Sequence, residues 1–274
     1  MVNLTGKIAI ITGATSGIGK ACALALGQHG CKVVITGRDV KKLQATANEF
    51  QVLGIDCLSI QADVQVEADH VRMIDETIKQ FGSIDILINN AGISMRALFQ
   101  DVDIAVLKQV MDSNFWGTVY ATKYALPHLI KSKGMIVGIS SIAGFRGLPG
   151  RTGYSASKFA MQGFLESLRT ELLPHGVHVL IACPGFTATN IRYTALDKKG
   201  AAQTESPRDE KKMMTAEQVA EKIIQAIRKR KKILILTFMG RLTVFLNKWF
   251  SGWMDKKVYN HFTKENDSPM SSIS

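Results

Sequence analysis

The sequence of 274 residues is poor in cysteine, with four, and in proline, with six, and it has no long unbroken apolar run. Its cysteines lie far apart and its histidines are not paired at metal-ligand spacing, so we expect free thiols in a reducing compartment and no metal site. A membrane-spanning helix needs about 18 unbroken apolar residues, and the longest candidates are interrupted at Lys7, Lys32 or Arg241. The first residues show no signal-peptide pattern, and we expect a cytoplasmic protein.

Basic residues are concentrated in the C-terminal third of the chain. Residues 1–191 have 17 Lys+Arg and 14 Asp+Glu, a net charge of +3, whereas residues 192–274 have 17 and 9, a net charge of +8. The densest basic run, 228–232, ends a predicted helix, where cations complement the helix dipole. An anionic-lipid patch is the second interpretation of this run. Because no aromatic residues are interleaved with it, we predict no nucleic-acid partner.

Short β-branched runs alternate with longer amphipathic segments along most of the chain. The runs are almost continuously apolar, as in strands buried on both faces, and they occur at 7–12, 32–36, 55–60, 84–89, 134–140, 177–183 and 232–237. Helical periodicity lies between them, at 18–30, 40–53, 66–81, 107–131, 154–173 and 215–229. This alternation predicts an α/β fold: a single doubly wound Rossmann domain with a seven-stranded parallel sheet and helices on both faces.

We expect this domain to span residues 1–240 and a C-terminal extension to span 241–274. The polar stretch 186–214 follows the sixth strand, where sheet enzymes place substrate-covering segments. In 241–254, apolar and aromatic residues recur at helical spacing, which predicts an amphipathic helix. We expect this helix to form a packed edge or a dimer contact, with peripheral membrane docking as a compatible alternative, and a frayed tail from about Lys264.

The first strand runs directly into a glycine-rich turn, T-G-A-T-S-G-I-G, at the start of a helix. Glycines let the backbone approach a ligand closely, and the N–H groups and dipole of a helix N-terminus favour a pyrophosphate. The spacing G-x-x-x-G-x-G differs from the commonest dinucleotide fingerprint, and a tight turn without a ligand is the alternative. The cofactor-binding candidates in this turn are Gly13, Ser16, Gly17, Ile18 and Gly19.

Arg38, at the end of the second strand, indicates which dinucleotide the turn would hold. An acid at this position bonds the ribose 2′-hydroxyl of NAD, whereas an arginine accepts the 2′-phosphate of NADP in a bidentate contact. No acid precedes Arg38, so we predict NADP, with NAD as the alternative. Asp39 is the counter-argument, although its position directly before a helix suits an N-cap.

Four polar residues form the candidate catalytic group. Tyr154 and Lys158 are four apart on a predicted helix, so both side chains emerge on one face. Carbonyl reduction leaves an alkoxide that needs a proton, and a phenol can exchange that proton near neutral pH if a neighbouring cation stabilises the phenolate. We therefore predict that Tyr154 is the acid and base and that Lys158 is its cation. Ser141 would hydrogen-bond the substrate oxygen, and Asn114 would hold a water between Lys158 and solvent.

These motifs and their order resemble the short-chain dehydrogenase/reductase family. The resemblance covers residues 7–190 and implies strand order 3-2-1-4-5-6-7 and a homodimer or homotetramer. Many NADP-preferring members have a basic residue where this chain has Ser16, so the NADP prediction depends on Arg38 alone. The seven matching motifs are T-G-x-x-x-G-I-G (12–19), Asp63-Val64, N-N-A-G (89–92), Asn114, Ser141, Y-S-A-S-K (154–158) and P-G with Thr189 (184–189).

The resemblance also implies which residues contact the cofactor. Asp63 and Val64 would bond the adenine ring. Lys158 would bond the nicotinamide ribose in addition to stabilising the phenolate of Tyr154. Thr187 and Thr189 would hold the carboxamide. The remaining cofactor-binding candidates implied by the family are Asn90, Ala91 and Gly92, which would support the cofactor's ribose, together with Tyr154, Pro184 and Gly185.

The C-terminal half is similar to the branch that contains dehydrogenase/reductase member seven and the 11β-hydroxysteroid dehydrogenases. That resemblance implies a lipophilic ketone or alcohol as substrate, often at a membrane. We predict an NADP-dependent oxidoreductase that interconverts a ketone and a secondary alcohol by hydride transfer. Two alternatives stay open: a reductase of the 3-oxoacyl or 3-ketosphinganine type, and a non-catalytic dinucleotide-binding scaffold or sensor.

Overall fold

A computed structural model describes residues 1–203, 213–265 and 268–272. Two short strands, β7 (Thr187–Ala188) and β8 (Met214–Thr215), pair beside a main sheet of seven strands. The strands of the main sheet are β1 (Ile8–Ile11), β2 (Lys32–Gly37), β3 (Cys57–Gln61), β4 (Ile86–Asn89), β5 (Met135–Ile139), β6 (His178–Cys183) and β9 (Ile233–Ile235). They are all parallel and lie in the order β3-β2-β1-β4-β5-β6-β9. The predicted fold and strand order are confirmed.

Helices cover both faces of the sheet because alternate strand residues face opposite sides. The helices are α1 (Gly17–Gln28), α2 (Val40–Val52), α3 (Glu67–Phe81), α4 (Ile104–Met111), α5 (Gly117–Ser132), α6 (Thr152–Glu171), α7 (Ala216–Arg228), α8 (Phe238–Trp249) and α9 (Ser251–Phe262). On β1, Ala9 and Ile11 pack in a first core, which is shared with α1, α2 and α7. Ile10 packs in a second core, which is shared with α3, α5 and α6.

The prediction of one helix over 107–131 is right in extent and wrong in one detail. A π-helical segment, Asp112–Trp116, lies between α4 and α5, while the backbone stays helical from one to the other. A π turn inserts one extra residue into the hydrogen-bonding pattern, and here the Thr118 hydroxyl donates to the carbonyl oxygen of Asn114 at 2.9 Å. The inserted residue rotates the helix surface, and the Asn114 side chain is fully buried as a result.

The prediction of one helix over 241–254 is also wrong, because α8 and α9 are separate helices. The backbone leaves the helical region at Phe250, with φ of −135° and ψ of 49°. The change of direction lets α9 bury its own apolar stripe, which a straight continuation of α8 would leave in solvent. That stripe consists of Met254, Val258 and Phe262, packed against Leu148 and Leu246.

The expected frayed tail is ordered where the structure describes it. Ser268 and Met270 are buried. The Ser268 hydroxyl donates to the carbonyl oxygen of Phe262 at 2.6 Å and accepts from the Met270 amide at 3.2 Å. The tail therefore closes the C-terminal end of α9 by satisfying one of its carbonyls.

The predicted substrate-covering segment, 186–214, is described except for residues 204–212. Leu196 bridges to Met95, and the Arg96 amide donates to the carbonyl oxygen of Leu196 at 2.8 Å. This contact brings the segment next to the chain that follows β4. Among the described residues, no helix combines the length and the apolar character needed to cross a membrane.

Candidate active site

The glycine turn after β1 is shaped by close packing against the end of β4. Gly13 has φ of +65° and Gly17 has φ of +54°, values that favour glycine. A Cβ on Gly13 would lie 2.9 Å from the Cα of Ala91, and one on Gly19 would lie 2.3 Å from the side-chain nitrogen of Asn90. The turn therefore needs these glycines where it meets β4.

Thr12 and Asn90 hold the glycine turn in place through four hydrogen bonds. The Thr12 hydroxyl accepts from the amides of Asn90 and Ala91 at 3.0 and 3.1 Å. The Asn90 side chain donates to the carbonyl oxygens of Thr12 and Gly13 at 2.9 and 3.0 Å. The side chain of Asn90 thus fixes the shape of the turn, a role that the sequence motif alone did not indicate.

The start of α1 fits an anionic group. Ser16 precedes the helix with an extended backbone, and the first turn of α1 has no acidic residue. A helix N-terminus without a carboxylate favours a phosphate. Thr189, from the loop after β6, lies 3.5 Å from the position that a Cβ of Gly17 would occupy. Ile18 turns inward against the first core. The residues present therefore fit the pyrophosphate of a dinucleotide.

Arg38 and Asp63 meet at the ends of β2 and β3. Their side chains are 3.8 Å apart, and the Arg38 side chain is 60% exposed. The prediction that Asp39 is an N-cap is confirmed, since its carboxylate accepts from the Lys42 amide at 3.1 Å. Val64, next to Asp63, packs closely against Gly117 at the start of α5. The Arg38 guanidinium therefore lies beside Asp63, and Asp39 is engaged in the helix.

Tyr154 and Lys158 lie together on α6. The Lys158 ammonium is 5.8 Å from the centre of the Tyr154 ring. Lys158 is 3% exposed and donates to the carbonyl oxygen of Ile139 at 2.9 Å. Burial lowers the pKa of Lys158 to about 8, and a smaller electrostatic effect of Cys183 opposes that shift. The predicted pair is thus brought together, with a lysine that gives up its proton more readily than a solvated one.

Ser141 reaches Tyr154 from the end of β5. The Ser141 hydroxyl accepts from the Ala143 amide at 3.1 Å and caps a short 3-10 turn, Ile142–Gly144. The pKa of Tyr154 is raised overall, because burial outweighs the lowering by a hydrogen bond from Ser141 and by the positive charge of Arg151. Ser141 therefore stabilises the phenolate of Tyr154 and lowers its pKa, which is the direction that acid and base chemistry requires.

Asn114 lies beside Lys158, at the point where Gly92 leaves room for both. A Cβ on Gly92 would be 2.8 Å from the Asn114 side-chain oxygen and 3.5 Å from the Lys158 nitrogen. The Asn114 oxygen accepts from the Ile93 amide at 2.8 Å, and its nitrogen donates to the Ile93 carbonyl at 2.9 Å and to the Ser157 hydroxyl at 2.8 Å. The expected water between Lys158 and solvent stays a prediction, while the contact with Ile93 is an anchoring role that the sequence did not indicate.

The loop after β6 completes the group of predicted residues. The Pro184 carbonyl accepts from the Ile142 amide at 3.2 Å, and Gly185 passes close to Thr237. The Thr187 hydroxyl donates to the Gly185 carbonyl at 3.3 Å. Because parallel strands end at one edge of the sheet, this loop, the glycine turn, Gly92 and Ser141 converge there.

Gln162, which lies two helical turns after Tyr154, is near the predicted catalytic residues but was not predicted from the sequence. Its side-chain nitrogen is 2.9 Å from the Ser140 hydroxyl and 3.3 Å from the Ser141 carbonyl oxygen. The eight-residue spacing places it on the face of α6 that holds Tyr154. That spacing is the signal that could have indicated it.

Comparison with known proteins agrees with this geometry. A family model described as short chain dehydrogenase matches residues 7–200. The 11-beta-hydroxysteroid dehydrogenase-like 2 protein of Arabidopsis thaliana is 43% identical over 191 residues, which are 69% of this chain and 62% of that protein. Dehydrogenase/reductase SDR family member 7B of Mus musculus is 33% identical over 274 residues, which are 98% of this chain and 85% of that protein. The chain thus spans less than two thirds of the length of its Arabidopsis relative.

Solved structures share the fold. A short chain dehydrogenase/reductase from Burkholderia phymatum, in complex with NAD, has a TM-score of 0.83 and 24% identity, with 93% of this chain and 97% of that chain covered. The apo form of LigD from Sphingobium sp. strain SYK-6 has a TM-score of 0.78 and 24% identity, with 92% and 97% covered. At this identity the likeness shows the fold alone. Because the family model covers most of the sequence, the chain belongs to the short-chain dehydrogenase/reductase family.

Proposed function

We propose that this protein is an NADP-dependent oxidoreductase that interconverts a ketone and a secondary alcohol. The observation that carries the proposal is the meeting of the Tyr154 phenol, the Lys158 ammonium and the Ser141 hydroxyl at the edge of the sheet that also holds the glycine turn. Membership of the family supports an enzyme that acts on alcohol and ketone groups. A scaffold or sensor would have no need for this particular set of side chains.

The chemistry follows from the groups that the chain provides. NADPH, when bound, supplies a hydride to the carbonyl carbon, so that ketone, NADPH and a proton give alcohol and NADP⁺. Tyr154 donates that proton to the substrate oxygen in reduction and removes it in oxidation. The Ala143 amide donates to the Ser141 oxygen, and when substrate binds, the single hydroxyl proton of Ser141 can move from Tyr154 to the substrate oxygen. Lys158, cationic below its pKa of about 8, stabilises the phenolate.

Arg38 supports NADP over NAD. Its guanidinium is 3.8 Å from Asp63, longer than a hydrogen bond, and is mostly exposed. A 2′-phosphate offers bidentate contacts that this loose ion pair lacks. Asp39, the residue that would argue for NAD, caps α2 instead. NAD is the alternative cofactor, and the Burkholderia phymatum structure was obtained in complex with NAD.

An apolar wall beside Tyr154 supports a lipophilic substrate. Tyr154 packs against a cluster of buried apolar residues from the chain after β4, from α4 and from the described part of 186–214, and the relatives include proteins named for hydroxysteroid dehydrogenases. The cluster consists of Met95, Ala97, Val102, Val106, Val110 and Leu196. A reductase of 3-oxoacyl or 3-ketosphinganine substrates is the second candidate, since an acyl chain would also suit such a wall.

A ketone panel with NADPH consumption as the readout tests the proposed function. The panel contains α-tetralone as a bicyclic ring ketone, a steroid ketone, a 3-oxoacyl thioester and 3-ketosphinganine. We expect turnover with the ring ketones and little with NADH in place of NADPH. Turnover only with the acyl substrates would favour the second candidate, and binding of NADPH without turnover of any ketone would favour a scaffold or sensor.

The exposed aromatic residues of α8 and α9 support contact with a membrane surface from a cytoplasmic location. We define the aromatic face as Phe238, Met239, Phe245, Trp249, Phe250 and Trp253, all of which are at least half exposed. Lys248 lies over the Trp249 ring at 5.6 Å, and Lys257 lies over the Trp253 ring at 5.1 Å. Aromatic residues with adjacent lysines are the side chains that interfacial helices use on anionic lipid.

A second copy of the chain is the further partner that the family suggests. Trp116, the last residue of the π-helical segment, and Phe159, on α6, are each more than two fifths exposed. A cleft of about 940 Å³ beside Phe159 is lined by residues of α6 and α9 and lies on a different face of α6 from Tyr154. These surfaces support a homodimer or homotetramer, which light scattering of the purified protein would detect as a mass two or four times that of one chain.

A further inference from the structure

The proposed catalytic groups come from two elements whose relative position the sequence pattern does not fix. Tyr154 and Lys158 belong to α6, whereas Ser141 follows β5. A change of about 1 Å between such groups can cost a hundredfold in rate. Some contact must therefore hold the end of β5 against α6.

Lys158 provides one such contact through the Ile139 carbonyl, and Gln162 provides a second at Ser140 and Ser141. Its side-chain nitrogen lies 2.9 Å from the Ser140 hydroxyl, 3.3 Å from the Ser141 carbonyl oxygen and 3.7 Å from the sulfur of Cys183. The Ser140 hydroxyl lies 3.5 Å from the Lys158 carbonyl oxygen. One side chain of α6 therefore reaches the ends of both β5 and β6, directly beneath Ser141.

The surrounding backbone leaves space for this side chain. A Cβ on Gly144 would lie 2.1 Å from the Gln162 nitrogen and 2.9 Å from the Ser140 hydroxyl. The Gly144 amide donates to the Ser141 carbonyl at 3.0 Å, so this carbonyl accepts from both Gly144 and Gln162. A partly buried amide that is aligned on a carbonyl and a hydroxyl makes directional contacts that an apolar side chain of the same size cannot make.

We propose that Gln162 is a positioning residue that holds Ser141 in register with Tyr154. The proposal rests on the proposed function, because it gives Gln162 a role only through the Ser141 hydroxyl. Without the amide, the turn that begins at Ser141 keeps its Ala143 contact and loses the contact with Gln162, while the hydrogen bond from Lys158 to Ile139 still joins α6 to β5 one step earlier in the chain. The hydroxyl then spends less time where it can donate to the substrate oxygen.

A double-mutant cycle tests the proposal, with α-tetralone and NADPH as the probe pair or with whichever ketone of the panel is turned over fastest. We expect Gln162→Met to lower kcat about tenfold or more and to leave the Kd for NADPH unchanged. In a Ser141→Ala background the same substitution should change kcat less than about twofold, since coupled residues are not additive. Equal effects in the two backgrounds would overturn the proposal.

Two further variants separate positioning from folding. Arg169, also on α6, donates to the Val179 and Lys232 carbonyls at the opposite end of the strands, so Arg169→Met should lower stability without lowering kcat. Gln162→Glu keeps the shape and can donate only when its carboxyl is protonated, so its activity relative to the unmodified protein should fall as pH rises. A constant ratio across pH would contradict the proposal, even if Gln162→Met failed to fold.

The cycle also separates this proposal from the proposed function. If Tyr154→Phe leaves turnover intact, the proposed function fails and Gln162 has no reaction to serve. If Tyr154→Phe abolishes turnover while Gln162→Met is additive with Ser141→Ala, the function stands and the positioning role fails.

Discussion

At the carboxyl edge of the sheet, Lys158 is 3% exposed and Asn114 is fully buried, whereas on α8 and at its end Trp249 is 64% and Phe250 is 56% exposed. In the first region polar groups are enclosed, and in the second large apolar groups face solvent. Each arrangement runs against the usual preference of its residue type. Both regions therefore depart from what stability alone would favour, and this departure is what supports the proposals of chemistry in the first region and of a surface partner in the second.

The largest effect should come from removing the buried charge. We expect Lys158→Met to lower turnover by about a thousandfold, because the phenolate of Tyr154 loses its neighbouring cation. The measurement is the initial rate of NADPH consumption with α-tetralone, or with the fastest ketone of the panel. Retention of more than a tenth of the rate would contradict the role assigned to Lys158.

The same variant should be more stable than the unmodified protein. The pKa of Lys158 is about 8 when folded and 10.5 ordinarily, so the unfolded chain binds the proton more tightly. The free energy of unfolding should therefore rise with pH between about 8 and 10.5 and be lowest below pH 8. Lys158→Met should remove that rise and gain on the order of 2 kcal/mol at pH 7, after loss of the Ile139 hydrogen bond. Urea unfolding at several pH values checks both expectations.

Arg38→Asp tests the proposed preference for NADPH over NADH. Loss of a charge-assisted bidentate contact and repulsion of the 2′-phosphate should lower the ratio of kcat/KM for NADPH to that for NADH by about tenfold to a hundredfold. Lys41→Asp, an exposed change of equal charge on α2, is the matched control. An unchanged ratio in Arg38→Asp would show that the 2′-phosphate site lies elsewhere.

Substitutions on the aromatic face test the proposed membrane contact of the second region. We expect a Phe245→Ser, Trp249→Ser, Phe250→Ser variant to bind vesicles of phosphatidylserine and phosphatidylcholine at least about tenfold more weakly. Val52→Ser, which removes an exposed apolar residue of α2, should leave binding unchanged. Equal sedimentation of the triple variant and the unmodified protein with vesicles would contradict membrane contact, and conversion of a dimer into a monomer would identify a second copy as the partner.

The smallest effect concerns Asp39. Because its carboxylate caps α2, Asp39→Ala should lower the free energy of unfolding by about 1 kcal/mol. The NADPH to NADH preference should stay the same, which thermal unfolding and cofactor titration would check together. A shift of the preference toward NADPH would mean that Asp39 takes part in cofactor selection.

Much of the first region could be predicted because its signals are local. Buried parallel strands read as apolar runs, and the turns that follow them carry the residues that converge at one edge. The sequence placed Tyr154, Lys158 and Ser141 on the right elements. It could not indicate that Asn90 and Asn114 anchor the backbone, because those contacts join residues that are more than twenty positions apart.

Both departures from the predicted helices involve tertiary contacts. The π turn around Asn114 lies within a continuous helical pattern, and the contact of its side chain with Ile93 is what distinguishes it. The break at Phe250 lies within a continuous aromatic pattern, and the burial of Met254 and Phe262 against Leu148 accompanies it. In both cases the sequence periodicity stays helical, and it does not indicate where the α-helical pattern is interrupted.

In the proposed function, the Tyr154 hydroxyl transfers the proton, and most of the cofactor is held by other groups. Tyr154→Phe removes only that hydroxyl, so we expect turnover of the best ketone to fall by at least about a thousandfold while the Kd for NADPH, measured by fluorescence titration, stays within about twofold. Turnover close to that of the unmodified protein, with NADPH still bound, would rule out this role of Tyr154.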